Sequence, residues 1–140
     1  MVKYLLDTCV ISELARKVPD PRVVSWFGER RDEEMFVSAV TVGELRKGVE
    51  KLSLSDEKRA HLLAWCMSVE ASFAGRIISF DKGVAVSWGG IVGRMAARGR
   101  TKPPIDMQIA ATALLHDCVL VTRNVKDMEG VGVQLLNPFS

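Results

Sequence analysis

The chain has 140 residues, the size of one domain and enough to bury a real core. Its 48% hydrophobic and 26% charged residues exclude a disordered or fibrous chain. The formal net charge of +2 permits an anionic partner without demanding one, and no run approaches the roughly 18 apolar residues of a membrane span.

Val2 to Leu6 reads as a short buried strand ending at Asp7, and Val10 to Ala15 as a short helix. Asp20-Pro21 starts a second helix carrying Val23, Val24, Trp26 and Phe27. Glu34 to Ser38 is the next strand, followed by an amphipathic helix over Thr41 to Leu52 and a longer one over Ser55 to Phe73. Arg76 to Phe80 reads as a third strand. Asp81 is placed to cap the following helix, whose stripe is Val84, Trp88, Ile91, Val92 and Met95 and which Gly99 ends. Gly89, Gly90 and Gly93 within it are expected to serve close helix packing rather than phosphate binding. Pro103-Pro104 opens an alanine-rich helix through Leu115, and the last strands are Cys118 to Val121 and Val133 to Leu136. Strands alternating with helices predict an α/β fold, a mostly parallel sheet covered on both faces, in one domain spanning 1–140.

The cysteines, Cys9, Cys66 and Cys118, are odd in number and form no CxxC pair, so a disulfide framework is not expected. Cys9 and Cys118 read as small buried hydrophobes. The N-terminus meets Asp7 before any signal-peptide core forms, and a reducing, cytoplasmic compartment fits best.

Sites on parallel sheets lie at the carboxyl ends of strands, which directs attention to Asp7 and Thr122. Asp7 alone reads equally well as a helix cap. Glu44 follows Thr41 by three residues, the spacing of a capping box. Asp106 suits the first turn of its helix without any further role. Together the three acids change the argument, because helix starts on a parallel sheet gather on one edge. Carboxylates converging there repel one another unless a cation neutralises them. Mg²⁺ prefers hard oxygen ligands and takes few carboxylates, keeping water for the rest. Asn124 and the Thr122 hydroxyl offer further oxygens, while Asp127 reads as either a supporting acid or, preferably, a solvated helix residue. His61 and His116 have no partner at metal spacing, and no Ser-His-Asp set, phosphate loop or zinc cluster is visible. Arg94, Arg98, Arg100 and Lys102 run up to the Asp106 segment with no acid between them. They are either a solvated helix end or a clamp for a phosphate backbone, with Arg46, Lys47 and Arg123 the next candidates.

Leu5-Leu6-Asp7-Thr8-Cys9-Val10-Ile11-Ser12-Glu13 resembles the opening signature of PIN-domain toxins. Ser38 to Gly48, Ile105 to Ala113, Val121 to Asp127 and Asn137-Pro138-Phe139 resemble their later motifs, in order and over nearly the whole chain. The resemblance, of VapC and FitB type, implies a PIN-like three-layer fold and a Mg²⁺- or Mn²⁺-dependent endoribonuclease. Asp7, Glu44 and Asp106 take the places of its acids, with Thr8 beside the first. A fourth acid often stands where this chain has Asn124, and Asn where it has Cys9. A homodimer, a small cognate antitoxin and structured RNA targets, notably tRNA, are also implied. The alternative is a non-catalytic PIN-like module that binds RNA or protein, which would have no need of clustered acids. A phosphoacceptor domain would want an acid pair after the first strand, where only Asp7 stands.

Overall fold

Short apolar strands alternate with helices, and the residue that closes a strand often starts the next helix. In the computed structural model, which describes residues 1–140, β1 (Tyr4–Leu6) runs into Asp7, whose side chain caps α1 (Thr8–Leu14). The second helix, α2 (Pro21–Gly28), is capped by Asp20 and has Pro21 in its first turn, where the missing N–H costs nothing. β2 (Met35–Ser38) ends on Ser38, which accepts from Val40 N–H and caps α3 (Ala39–Glu50). α4 (Glu57–Ser72), β3 (Ile77–Ile78), α5 (Lys82–Ala97), α6 (Pro104–Leu115), β4 (Val119–Val121) and β5 (Leu135–Leu136) follow. Asp81 caps α5 through Val84 N–H, and Gly99, at φ +68°, takes the left-handed turn beyond that helix.

The sheet order is β3-β2-β1-β4-β5, and every strand pair is parallel. Tyr4 pairs with Met35 on one side and with Val119 on the other. The chain winds outward from β1 to β3 and then returns to the far side of β1, so the order reverses between β1 and β4. A crevice opens at the carboxyl ends of strands at such a reversal.

Successive strand residues feed opposite cores, as the period of two requires. Leu5 and Leu120 pack with α5 and α6 through Ile91, Met107, Ile109 and Ala113. Leu6, Val37 and Val121 pack on the other face with Val10, Val23, Phe73 and Phe139. Helices therefore cover both faces, as expected. No helix is long and apolar enough to cross a membrane.

Two sequence expectations fail. The Thr41/Glu44 capping box does not form, because α3 starts at Ala39 and places Thr41 inside the helix and Glu44 in its second turn. The α5 glycines are not close-packing positions. A Cβ at Gly89 or Gly93 would meet nothing within 4 Å, and one at Gly90 would meet only the side chain of Arg94. Nothing in the structure explains these glycines.

Leu120 is fully buried in the middle of the sheet. Leu120→Ala is expected to lower stability by about 2–5 kcal/mol, through the transfer energy of the deleted atoms and an unfilled cavity. Urea unfolding should show a lower midpoint at an unchanged slope.

Candidate metal centre

Asp7, only 3% exposed, uses both carboxylate oxygens. Oδ1 accepts from Thr8 N–H at 2.7 Å, and Oδ2 accepts from the Thr122 hydroxyl at 2.7 Å. The Thr122 oxygen in turn accepts from Asn124 N–H at 2.9 Å, which orients its proton toward Asp7. Burial raises the Asp7 carboxyl above its ordinary value, the Thr122 and Thr8 bonds oppose this, and the charge of Glu44 adds to it.

Glu44 reaches the same place from α3. Its Oε1 accepts from the Thr8 hydroxyl at 2.7 Å, with Thr41 Oγ1 3.1 Å from that hydroxyl. Thr8 thus carries Asp7 on its backbone and Glu44 on its side chain.

Asp106 stands in the first turn of α6. Its carboxyl is pushed up to about 6, first by burial and then by the charges of Asp7, Asp127 and Glu44. Four acids therefore share one electrostatic neighbourhood. Asp127 is exposed on a 3₁₀ turn, Lys126–Met128, rather than on a helix, and its charge acts on Asp106. Asp127 is a solvated acid, as the sequence reading prefers, but on a turn rather than a helix. Asn124 meets the site through its backbone bond to Thr122.

No three His, Cys, Asp or Glu side chains stand close enough to cage an ion by themselves. The donors present are hard oxygens around like charges, which fits Mg²⁺ or Mn²⁺ held by few direct carboxylates with water completing the shell. The spacing does not fit a closed zinc-type cage.

Cys9 is half-buried rather than buried, with Sγ 3.8 Å from both Asp7 Oδ2 and Thr122 Oγ1. Burial and then the Asp7 charge push its thiol up, so it stays protonated as a weak donor beside the acid. Nothing in its flanking apolar residues signals that contact.

The cations divide. Arg46 is committed to Glu70 through two bonds of 2.7 and 3.1 Å, so its charge is met locally. Arg94, Arg98, Arg100 and Lys102 make no salt bridge, and Lys102 Nζ donates to the carbonyl of Lys126 at 3.2 Å, next to Asp127. Arg123 lies 3.7 Å over the Phe139 ring and 3.6 Å from Glu13. Glu13, only 4% exposed, also takes Arg16 at 3.2 Å and Asp20 N–H at 2.9 Å. Sequence reasoning misses this buried carboxylate, although an acid on the apolar side of a short helix is its signal.

Residues 4–131 match the PIN domain family. The chain is 37% identical to "Toxin FitB" of Neisseria gonorrhoeae over 135 residues, covering 96% of this chain and 97% of that one. It is 31% identical to "VapC ribonuclease Y4jK" of Sinorhizobium fredii, covering 96% of each. A solved structure of FitAB bound to a DNA fragment superposes with a TM-score of 0.89 at 37% identity, covering 98% of this chain and 96% of that one.

The raised carboxyl of Asp106 has a consequence for stability. Between the ordinary value of 3.8 and about 6, the folded chain binds more protons than the unfolded chain. Stability therefore falls as pH rises through that window. Asp20, held down at about 2 by Arg22, acts below it. In a chelator, Asp106→Asn is expected to flatten the decline of melting temperature between about pH 4 and 6 relative to wild type. Identical slopes would mean that neither burial nor the other acids raise the Asp106 carboxyl.

Proposed function

The chain belongs to the PIN domain family, and we propose that it is a Mg²⁺-dependent endoribonuclease, the toxin component of a toxin–antitoxin pair. The observation that carries this reading is the buried Asp7 bonded to Thr8 and Thr122 where β1 ends, with Glu44 on the Thr8 hydroxyl and Asp106, raised to about 6 by burial and the neighbouring acids, in the first turn of α6. Repulsion of that kind calls for a cation, and the relatives named ribonuclease and toxin supply the chemistry it would serve. Bound here, Mg²⁺ or Mn²⁺ would supply a hydrolytic nucleophile at neutral pH and offset charge on the phosphodiester.

Asp7, Asp106 and Glu44 would hold the ion. Thr8 and Thr122 orient Glu44 and Asp7, and Asp127 adds negative potential. Asn124 takes no acid's place here, so Asp127 is the fourth acid of the neighbourhood. The free cations Arg94, Arg98, Arg100 and Lys102 lie on the α6 side of these acids and would hold the RNA backbone. Structured RNA, tRNA among it, is the substrate class the resemblance implies. A protein of this activity needs a neutralising antitoxin in the cell that makes it, and a cytoplasmic homodimer completes the proposal. The non-catalytic alternative gives no reason for holding four acids together.

Asp7→Asn and Asp106→Asn are each expected to reduce RNA cleavage at least about 100-fold, since a metal contributes several kcal/mol of charge stabilisation. Chelation should do the same to wild type, with Mg²⁺ or Mn²⁺ restoring activity. Full activity in either variant removes that residue from the site.

Thr122→Val keeps the shape and removes the hydroxyl that orients Asp7. A drop of about 10–100-fold in metal affinity or activity is expected, as for other partners of metal ligands. Isothermal titration with Mn²⁺ separates the affinity part from the activity part.

Alanine at all four of Arg94, Arg98, Arg100 and Lys102 should flatten the salt dependence of RNA binding, by roughly 0.7 in log–log slope for each single-strand phosphate that is no longer neutralised. An unchanged slope would leave the stretch as a solvated helix end.

A further inference from the structure

Two hollows adjoin along α2, outside the acid cluster. The first, about 440 Å³, is lined by Arg16, Asp20, Arg22, Arg123 and Glu13 among others. The second, about 610 Å³, is lined by Ser25, Trp26, Arg30, Asn137 and Ser140 among others, and shares Pro21 and Arg22 with the first. The hollows meet at Pro21 and Arg22, and the two together are the α2 depression. It begins at Arg123, the neighbour in sequence of the Thr122 that bonds Asp7.

Eight of the ten residues lining the larger hollow are not hydrophobic, among them Arg22, Ser25, Glu29 and Arg30, each charged or carrying a hydroxyl. The side chains of the depression carry one more positive than negative charge. Four arginines, Arg16, Arg22, Arg30 and Arg123, face three carboxylates, Glu13, Asp20 and Glu29. Glu13 is divided between Arg16 and Arg123, which leaves that trio short of one negative charge. Arg30 is the least neutralised, since its one carboxylate, Glu29, is 3.8 Å away and 66% exposed.

These cations are held in place. Arg30 stacks over Trp26 at 5.1 Å and Tyr4 at 5.6 Å, with its buried Nε unpaired, so the terminal nitrogens are the exposed end. Arg123 lies over Phe139. Stacking fixes a guanidinium without neutralising it, which favours a bidentate partner such as phosphate. Ser25 and Ser140 donate to Glu29 and to the Asn137 carbonyl, and Asn137 Oδ1 accepts from Phe139 N–H, which leaves the hydroxyl lone pairs and the Asn137 amide nitrogen for ribose and base edges.

We propose that this depression is the track of the RNA strand on the α2 side of the metal centre, with Arg123 nearest the cleaved bond and Arg30 at the far end. The inference rests on the ribonuclease reading and extends it. The cations of residues 94–102 belong to the α5–α6 side, so the strand would cross the acids between two basic flanks.

The test is RNA binding in a chelator over a salt series, using an unstructured RNA of roughly 16 nucleotides and one of roughly 4, the range of single-strand site sizes. Arg30→Gln removes the charge while leaving a side chain that packs on Trp26. Ser25→Glu, at an exposed position in the same hollow, adds a negative charge and leaves the core intact. Arg30→Gln should lower the slope for the long RNA by about 0.7, the share of one phosphate, and Ser25→Glu should weaken long-RNA binding. Neither should change binding of the short RNA. If the wild type cleaves RNA but neither variant alters long-RNA binding, the track is wrong and the nuclease reading stands. If the wild type neither cleaves nor binds RNA, both fall. Loss of binding to the co-produced antitoxin, with RNA binding unchanged, would make the depression a protein-docking site and overturn the proposal.

Discussion

Asp7 joins three parts of the molecule through one buried carboxylate. Its N–H donates to Val121 O at 2.9 Å, continuing the β1–β4 ladder. One carboxylate oxygen starts α1, and the other takes the Thr122 hydroxyl at the end of β4. Placing a carboxylate at 3% exposure is costly, and each of these bonds offsets part of that cost. They do not offset all of it, because the carboxyl remains above its ordinary value. The order reversal between β1 and β4 is thus the place where the fold and the acid cluster depend on each other. Thr122 closes the link from one side and Thr8 from the other.

The remaining acids are held less firmly, and the difference suits what each would do. Glu44 is tethered through Thr8, so its position follows that of α1. Asp106 accepts no protein hydrogen bond that would favour its charged form, so nothing opposes the upward push of burial and of the neighbouring charges there. A single arginine would have relieved it, and Arg46 lies two residues from Glu44 in sequence. That arginine is turned instead to Glu70 on α4. The fold therefore leaves like charges unrelieved around Asp106 while pairing charges a helix away, which is what the proposed cation would relieve.

The alternation of apolar strands and helices made the parallel sheet legible, and Asp7 was legible as an acid ending an apolar strand. What misled was local chemistry with two solutions. Thr41-x-x-Glu44 has the spacing of a capping box, yet Ser38 three residues earlier is an equally good cap and begins the helix one turn sooner. That shift frees Glu44 for Thr8. Edge strands β3 and β5 are shorter than their apolar runs because each has one neighbour to set its length. The surroundings of Asp127 and Arg46 were not legible for a different reason. Their environments come from residues 21 and 24 positions away, and a charge run carries no information about partners across the fold.

On the ribonuclease reading, four acids repel the polyanion they would act on, and attraction has to be supplied within about a Debye length, roughly 10 Å at 0.1 M salt. The net charge of +2 is too small to supply it globally, so placement decides. Glu13 shows how placement is achieved. A buried carboxylate given wholly to Arg123 would order that side chain and cancel its charge. Given to Arg16, Arg123 and the Asp20 N–H together, it orders the loop before α2 and both guanidiniums while leaving one positive charge unmatched. Phe139 adds to this, since a ring fixes a guanidinium without neutralising it. Order and residual charge are separated at this position, and a residue beside Thr122 with both properties is what a phosphate entering the crevice would meet first.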